Sequence, residues 1–152
     1  MGKKPAAAKP ETPANIQEFN TTAGLIFAQL YRAFPVAQDV DRKSIAKVMG
    51  VVGENWGGHK LPSGRSFSEM LAYTNNWLAF EGYIHVSGSH PAERVTLTEK
   101  GLAAMKAVPA GLKDSLGSEL RKATERGAFN AGSIGDLVGG VIGGAIKSLS
   151  SG

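Results

Sequence analysis

The stretch Ser66–Gly101, SFSEMLAYTNNWLAFEGYIHVSGSHPAERVTLTEKG, decides the fold because its hydrophobic period changes once inside it. Over Phe67 to Glu81 the period is helical: Phe67, Met70, Leu71, Trp77 and Leu78, with Thr74 among them, share one face. Ser66 and Glu69 stand three apart, the spacing of a capping box in which each side chain bonds the other residue's backbone amide. Gly82 supplies the positive φ that ends a helix sharply. Beyond it the period drops to two. Tyr83-Ile84-His85-Val86 reads as a strand, Ser87-Gly88-Ser89-His90-Pro91 as a turn, and Arg94-Val95-Thr96-Leu97 as the returning strand. Thr98 then caps a helix from Glu99 to Ala107 that Pro109 limits.

Upstream, Leu25, Ile26, Leu30 and Phe34, with Phe27 and Tyr31, make a broad apolar helix face behind Thr21 or Thr22 as cap, and Pro35 stops it. A second helix starts at Asp41. Val40 and Ile45 take the staple positions, Ile45, Val48 and Met49 face inward, and Gly50 closes the end. The glycine-rich run Val51 to Arg65 reads as a flexible surface loop anchored by Trp56. Its Gly53–Lys60 part superficially resembles a phosphate-binding loop but fails the pattern. His59 stands where glycine precedes the lysine, and Leu61 fills the Ser/Thr position that would hold magnesium. The element order is helix, helix, helix, hairpin, helix: a mainly α chain with a small β-hairpin (α+β).

The chain has 152 residues and no cysteine, with 17 Lys+Arg against 13 Asp+Glu. That length suits one ordinary domain with tails. Disulfides, thiolate nucleophiles and cysteine-held zinc or iron–sulfur groups are excluded. The basic excess is unevenly placed. Lys3, Lys4 and Lys9 against Glu11 leave +2 in the first fourteen residues; nine basic and eight acidic residues from Asn15 to Val108 leave +1. Residues 1–15 read as a disordered Lys/Pro/Ala tail, 16–108 as the folded domain, and 109–152 as a Gly-rich helical extension. With no apolar run behind the first lysines, no secretory signal is read, and a cytoplasmic location is expected.

In the extension, Leu112 to Arg126 reads as a short amphipathic helix. Ser133-x-x-Asp136 starts another, with Ile134, Leu137, Val138, Val141, Ile142, Ala145, Ile146 and Leu149 in one stripe and Gly139, Gly140, Gly143 and Gly144 on the opposite face. Each interior glycine costs about 1 kcal/mol of helix stability, so this helix needs a partner surface. The expected partner is the folded domain or a second copy. A membrane is the lesser reading: sixteen helical residues reach about 24 Å, short of a hydrocarbon core of about 30 Å. A disordered or self-associating tail that pairs on contact with a partner is the third.

The phrases Trp77-Leu78-Ala79-Phe80-Glu81-Gly82-Tyr83-Ile84 and Val95-Thr96-Leu97-Thr98-Glu99-Lys100-Gly101, in this element order, resemble the winged helix-turn-helix domain, most nearly the transcription regulators of the MarR and PadR type. The resemblance covers about Thr21 to Val108. It implies a winged helix-turn-helix fold with extra C-terminal helices, binding double-stranded DNA as a dimer, with helix 67–81 in the major groove. Its outward stripe would be Ser68, Glu69, Ala72, Asn75, Asn76 and Ala79. Arg65 would pair with guanine, Asn75 or Asn76 with adenine, and Ala72 would touch a thymine methyl. His90 and Arg94 on the wing would reach phosphate or the minor groove, and Lys43, Lys47 and Lys60 would neutralise phosphate.

The alternative is a winged helix that binds protein and not DNA, with Trp56 and the C-terminal stripe (Leu137, Val138, Val141, Ile142, Ile146) as contact surfaces. No enzyme activity, metal or cofactor is expected. His85, His90 and Glu93 are the nearest approach to a ligand set and read as surface residues. Asp39 and Asp41 read as helix-start acids, and no Ser-His-Asp arrangement has a local signature.

Overall fold

The computed structural model describes residues 12–89, 93–126 and 133–142. Its first helix, α1 (Ala14–Ala33), starts seven residues before the expected cap. Thr21 and Thr22 lie inside it, buried, and the Thr22 hydroxyl donates to the Glu18 carbonyl at 2.7 Å instead of capping an amide. Pro13 opens the helix. It has no amide to satisfy, and its carbonyl accepts from Ile16 and Gln17. The run from Thr21 to Ala28 is buried at every residue. A helix apolar all round is a helix surrounded, and α1 is the central mast of the molecule.

Around it stand α2 (Arg42–Val48), a 3-10 turn (Trp56–Gly58), α3 (Phe67–Phe80), β1 (Ile84–Ser87), β2 (Arg94–Leu97), α4 (Glu99–Lys106), α5 (Leu116–Arg126) and a helix over 133–142, here α6. The fold is mostly helical with one small antiparallel hairpin. The hairpin pairs Ile84 with Leu97 and Val86 with Val95; Ile84, Val95 and Leu97 face the core, while His85 stays exposed. The backbone of Gln38, between α1 and α2, bonds Val95 in both directions at 2.8 and 2.9 Å, adding a one-residue third rung.

The caps expected at Asp41, Ser66 and Thr98 form. Asp41 accepts from the Ser44 amide at 3.1 Å, and Thr98 accepts from Gly101 at 3.0 Å. Gly82 has φ +83 behind α3. The fifth helix starts later than expected, at Leu116, because Gly111 turns with φ +83 and Ser115 takes the cap role, accepting from the Ser118 amide. The α2–α3 loop is built rather than featureless. Lys60 and Ser66 pair as a bridge, Leu61 donates to the Arg65 carbonyl at 2.8 Å, and Trp56 packs edge-on against Phe67.

The glycine face of the last helix is corrected. Gly140 is open to space, as expected, but Gly139 and Gly135 face α1: a Cβ on Gly139 would meet Asn20, and one on Gly135 would meet Gln17 and Thr21. From the other side, a Cβ on Gly24 of α1 would fall 2.6 Å from Ile134 and 2.7 Å from Val138. Small residues on both helices allow backbones to approach where larger ones would hold them apart. The apolar stripe alone did not reveal this. Ile134, Val138 and Ile142 are buried in the process.

Candidate nucleic-acid interface

The third helix is fixed at its start by the full capping box: the Ser66 hydroxyl accepts from the Glu69 amide at 3.2 Å, and the Glu69 carboxylate accepts from the Ser66 amide at 2.9 Å. Hydrogen bonding to the carboxylate by the Ser66 backbone amide, and next by the Ser66 side chain, holds the Glu69 carboxyl below its ordinary range, with the fields of Lys60 and Arg65 acting in the same direction. Glu69, placed on the outward stripe, has its carboxylate engaged by the amide that starts its own helix. On the other flank, Leu71, Thr74 and Leu78 pack inward and Trp77 is half-buried, 5.0 Å from Phe19 and 6.0 Å from Tyr83 between ring centroids.

Ser68, Ala72 and Asn76 are exposed, as the outward stripe requires. Asn75 and Ala79 are not on that stripe. Both are half-buried, and the buried Asn75 Oδ1 has no hydrogen-bond partner among the described residues. The reason is helical geometry: position 75 sits one turn from Leu71 and from Leu78, both buried, so its side chain follows them inward. Two exposed aromatics take part of the surface the sequence reading gave to polar residues. Tyr73 is 54% and Phe80 86% exposed. Their spacing of seven was the available signal, since it places both on one side of the helix.

Arg65 stands over the Tyr73 ring at 5.3 Å. The backbone under it is tied to α1 by Glu18, a buried carboxylate that accepts from the Ser63 amide at 2.8 Å and from the Ser63 hydroxyl. Nothing in the sequence marks that pair, which is 45 residues apart. Lys43 and Lys47 on α2, Lys60 in the loop and Arg94 on β2 are exposed, and among the described residues none of them, nor Arg65, forms an ion pair. His90 lies outside the described residues. So does Ile146.

The expected partner-binding residues divide. Trp56 is half-buried against Phe67, facing its own chain. Val138 and Ile142 are spent inside the molecule; Leu137 and Val141 are half-buried against the same core. Among the described residues no group of His, Asp or Glu is arranged to hold a metal, and no helix is long and apolar enough to cross a membrane. Comparison with protein-family models, with curated proteins and with solved structures finds no match.

Proposed function

We propose that the chain is a winged helix-turn-helix protein that binds duplex DNA, with the N-terminal half of α3 in the major groove, β1–β2 as the wing, and a regulatory role in transcription. The observation that carries this reading is the solvent-facing row Ser68, Ala72 and Asn76, rooted on a capped helix start beside Arg65 and flanked by the unpaired cations Lys43, Lys47, Lys60 and Arg94. The Gln38–Val95 rung supports the fold assignment, since it ties the segment between the first two helices to the wing. Phosphate neutralisation by these four cations gives a slope of about −3.6 in log affinity against log salt. The test is fluorescence anisotropy with a labelled duplex. Affinity should fall about a hundredfold between about 50 and about 200 mM salt. Absence of binding at the lower salt overturns the proposal.

A second reading has its own support. Phe80 is an exposed aromatic at the far end of α3, and Tyr73 lies on the same side. Large exposed aromatics mark protein contacts more than DNA contacts. In this reading the same fold docks on a protein, a second copy included. Phe80→Ser would then abolish co-purification or self-association while leaving any DNA affinity unchanged.

A further inference from the structure

The two ends of α1 stand beside different parts of the fold. At its head, Thr12 to Ile16 are exposed. Glu18, one turn in, accepts from the Ser63 amide at 2.8 Å, and Ser63 lies three residues before the Ser66 cap of α3. Asn15 and Ile16 line one cleft together with Arg65 and Tyr73. The heads of α1 and α3 therefore lie at one end of the molecule. The other end of α1 is elsewhere: the Tyr31 ring and the Met105 carbonyl both border Gly117 of α5. At about 1.5 Å per residue, a helix of 20 residues puts about 30 Å between those ends.

The chain before Thr12 thus joins the fold beside the start of α3. It carries Lys3, Lys4 and Lys9 against Glu11, and after Met1 it holds no large apolar residue to pack on the domain. The first turn of α1 adds no acid. At about 3.3–3.6 Å per residue, Lys9 reaches at most about 14 Å from Pro13 and Lys3 at most about 36 Å. One turn of duplex is about 34 Å long. Phosphate neutralisation asks for charge within reach and not for one fixed side-chain geometry. We propose that residues 1–11 act as a DNA-contacting arm, in which Lys3, Lys4 and Lys9 neutralise backbone phosphates next to the stretch of duplex that receives α3. Such contacts add affinity without base preference. Joined at the far end of α1, Lys9 would fall short of that duplex. The inference rests on the DNA reading above and adds to it a contact that the folded part does not supply.

The experiment compares the full chain with its Lys3→Gln/Lys4→Gln/Lys9→Gln variant, by fluorescence anisotropy on one labelled duplex, between about 50 and about 200 mM salt. The arm should steepen the slope of log affinity against log salt by about 2.7 beyond that set by Lys43, Lys47, Lys60 and Arg94, and the variant should lose that increment. Its deficit against the full chain should then shrink about fortyfold from the lower salt to the upper. Lys3→Arg/Lys4→Arg/Lys9→Arg, which keeps the charge, should keep the steep slope. Lys106→Gln, exposed on α4 and next to the Met105 that marks the far end of α1, should leave the slope as it is. An unchanged slope in the glutamine variant overturns the arm and leaves the DNA reading standing. So does a slope that the arginine variant fails to keep, or a loss of about 0.9 in Lys106→Gln, which would show charge acting without regard to place. No binding by the full chain at the lower salt overturns the DNA reading and the arm together.

Discussion

Gly101, in the first turn of α4, lies so close under the Tyr83 carbonyl that a β-carbon there would overlap the oxygen. This contact explains the glycine three residues after Thr98. The Thr98 hydroxyl donates to the Gly82 carbonyl, its amide donates to Tyr83, and the helix it caps must pass directly beneath that strand start. Gly101→Ala pushes backbone against backbone, where no side chain can yield. We expect a loss of about 3 kcal/mol in urea unfolding, the upper range for overpacking.

The contact between α1 and α6 gives a paired expectation. Gly24→Ala would set a methyl against Ile134 and Val138 and should cost about 1–3 kcal/mol. Gly140→Ala, on α6 and with no atom of the described residues close to its added methyl, should stabilise by about 0.5–1 kcal/mol through helix propensity. Thermal unfolding of the two variants should shift in opposite directions.

The carboxylate of Glu18 holds the loop that carries Arg65. Glu18→Ala should cost about 1.5–3 kcal/mol, the usual contribution of hydrogen bonds to a charged group. The Ser63 amide should then exchange with solvent faster than the amides of α4, which the change does not touch.

Within α3, adjacent asparagines should behave differently. Asn76→Ala should cost about 1–3 kcal/mol of DNA affinity at one base position, without loss of stability. Asn75→Leu should leave DNA affinity unaltered. It should also hold or raise stability, because it replaces a buried unpaired oxygen with an apolar group of similar size.

Two groups set pH limits. Ser44 holds the Asp41 carboxyl below its ordinary 3.8 by hydrogen bonds to the carboxylate. That contribution is full above about pH 4 and is lost as pH falls through the lowered folded value. Burial, helped by Glu81, raises the Tyr83 phenol above its ordinary 10.0. Its contribution is full below about pH 10 and is lost as pH rises through the raised folded value. Unfolding midpoints of Asp41→Ala and Tyr83→Phe should each flatten one limb of the stability–pH curve.

Local chemistry was legible in the residues. Asp41, Ser66, Thr98 and Gly82 each announce a helix end through a side chain or a missing one, and the change of period after Gly82 places the hairpin strand by strand. What escaped was non-local. Thr21 and Thr22 look like caps, but tertiary burial around α1 makes them interior residues. The Glu18–Ser63 tie and the Gln38–Val95 rung join positions with no periodic relation. Asn75 is the local exception: the helical wheel puts it beside the outward row, yet one turn of helix links it to the buried Leu71 and Leu78.

Gly24 meets Ile134 across about 110 positions of the chain. During synthesis at about 5–20 residues per second, the helix destined for the centre leaves the ribosome roughly 5–20 s before the segment that covers its far side. Over that interval the far side of this helix has no cover, an apolar surface of the kind that chaperones shield.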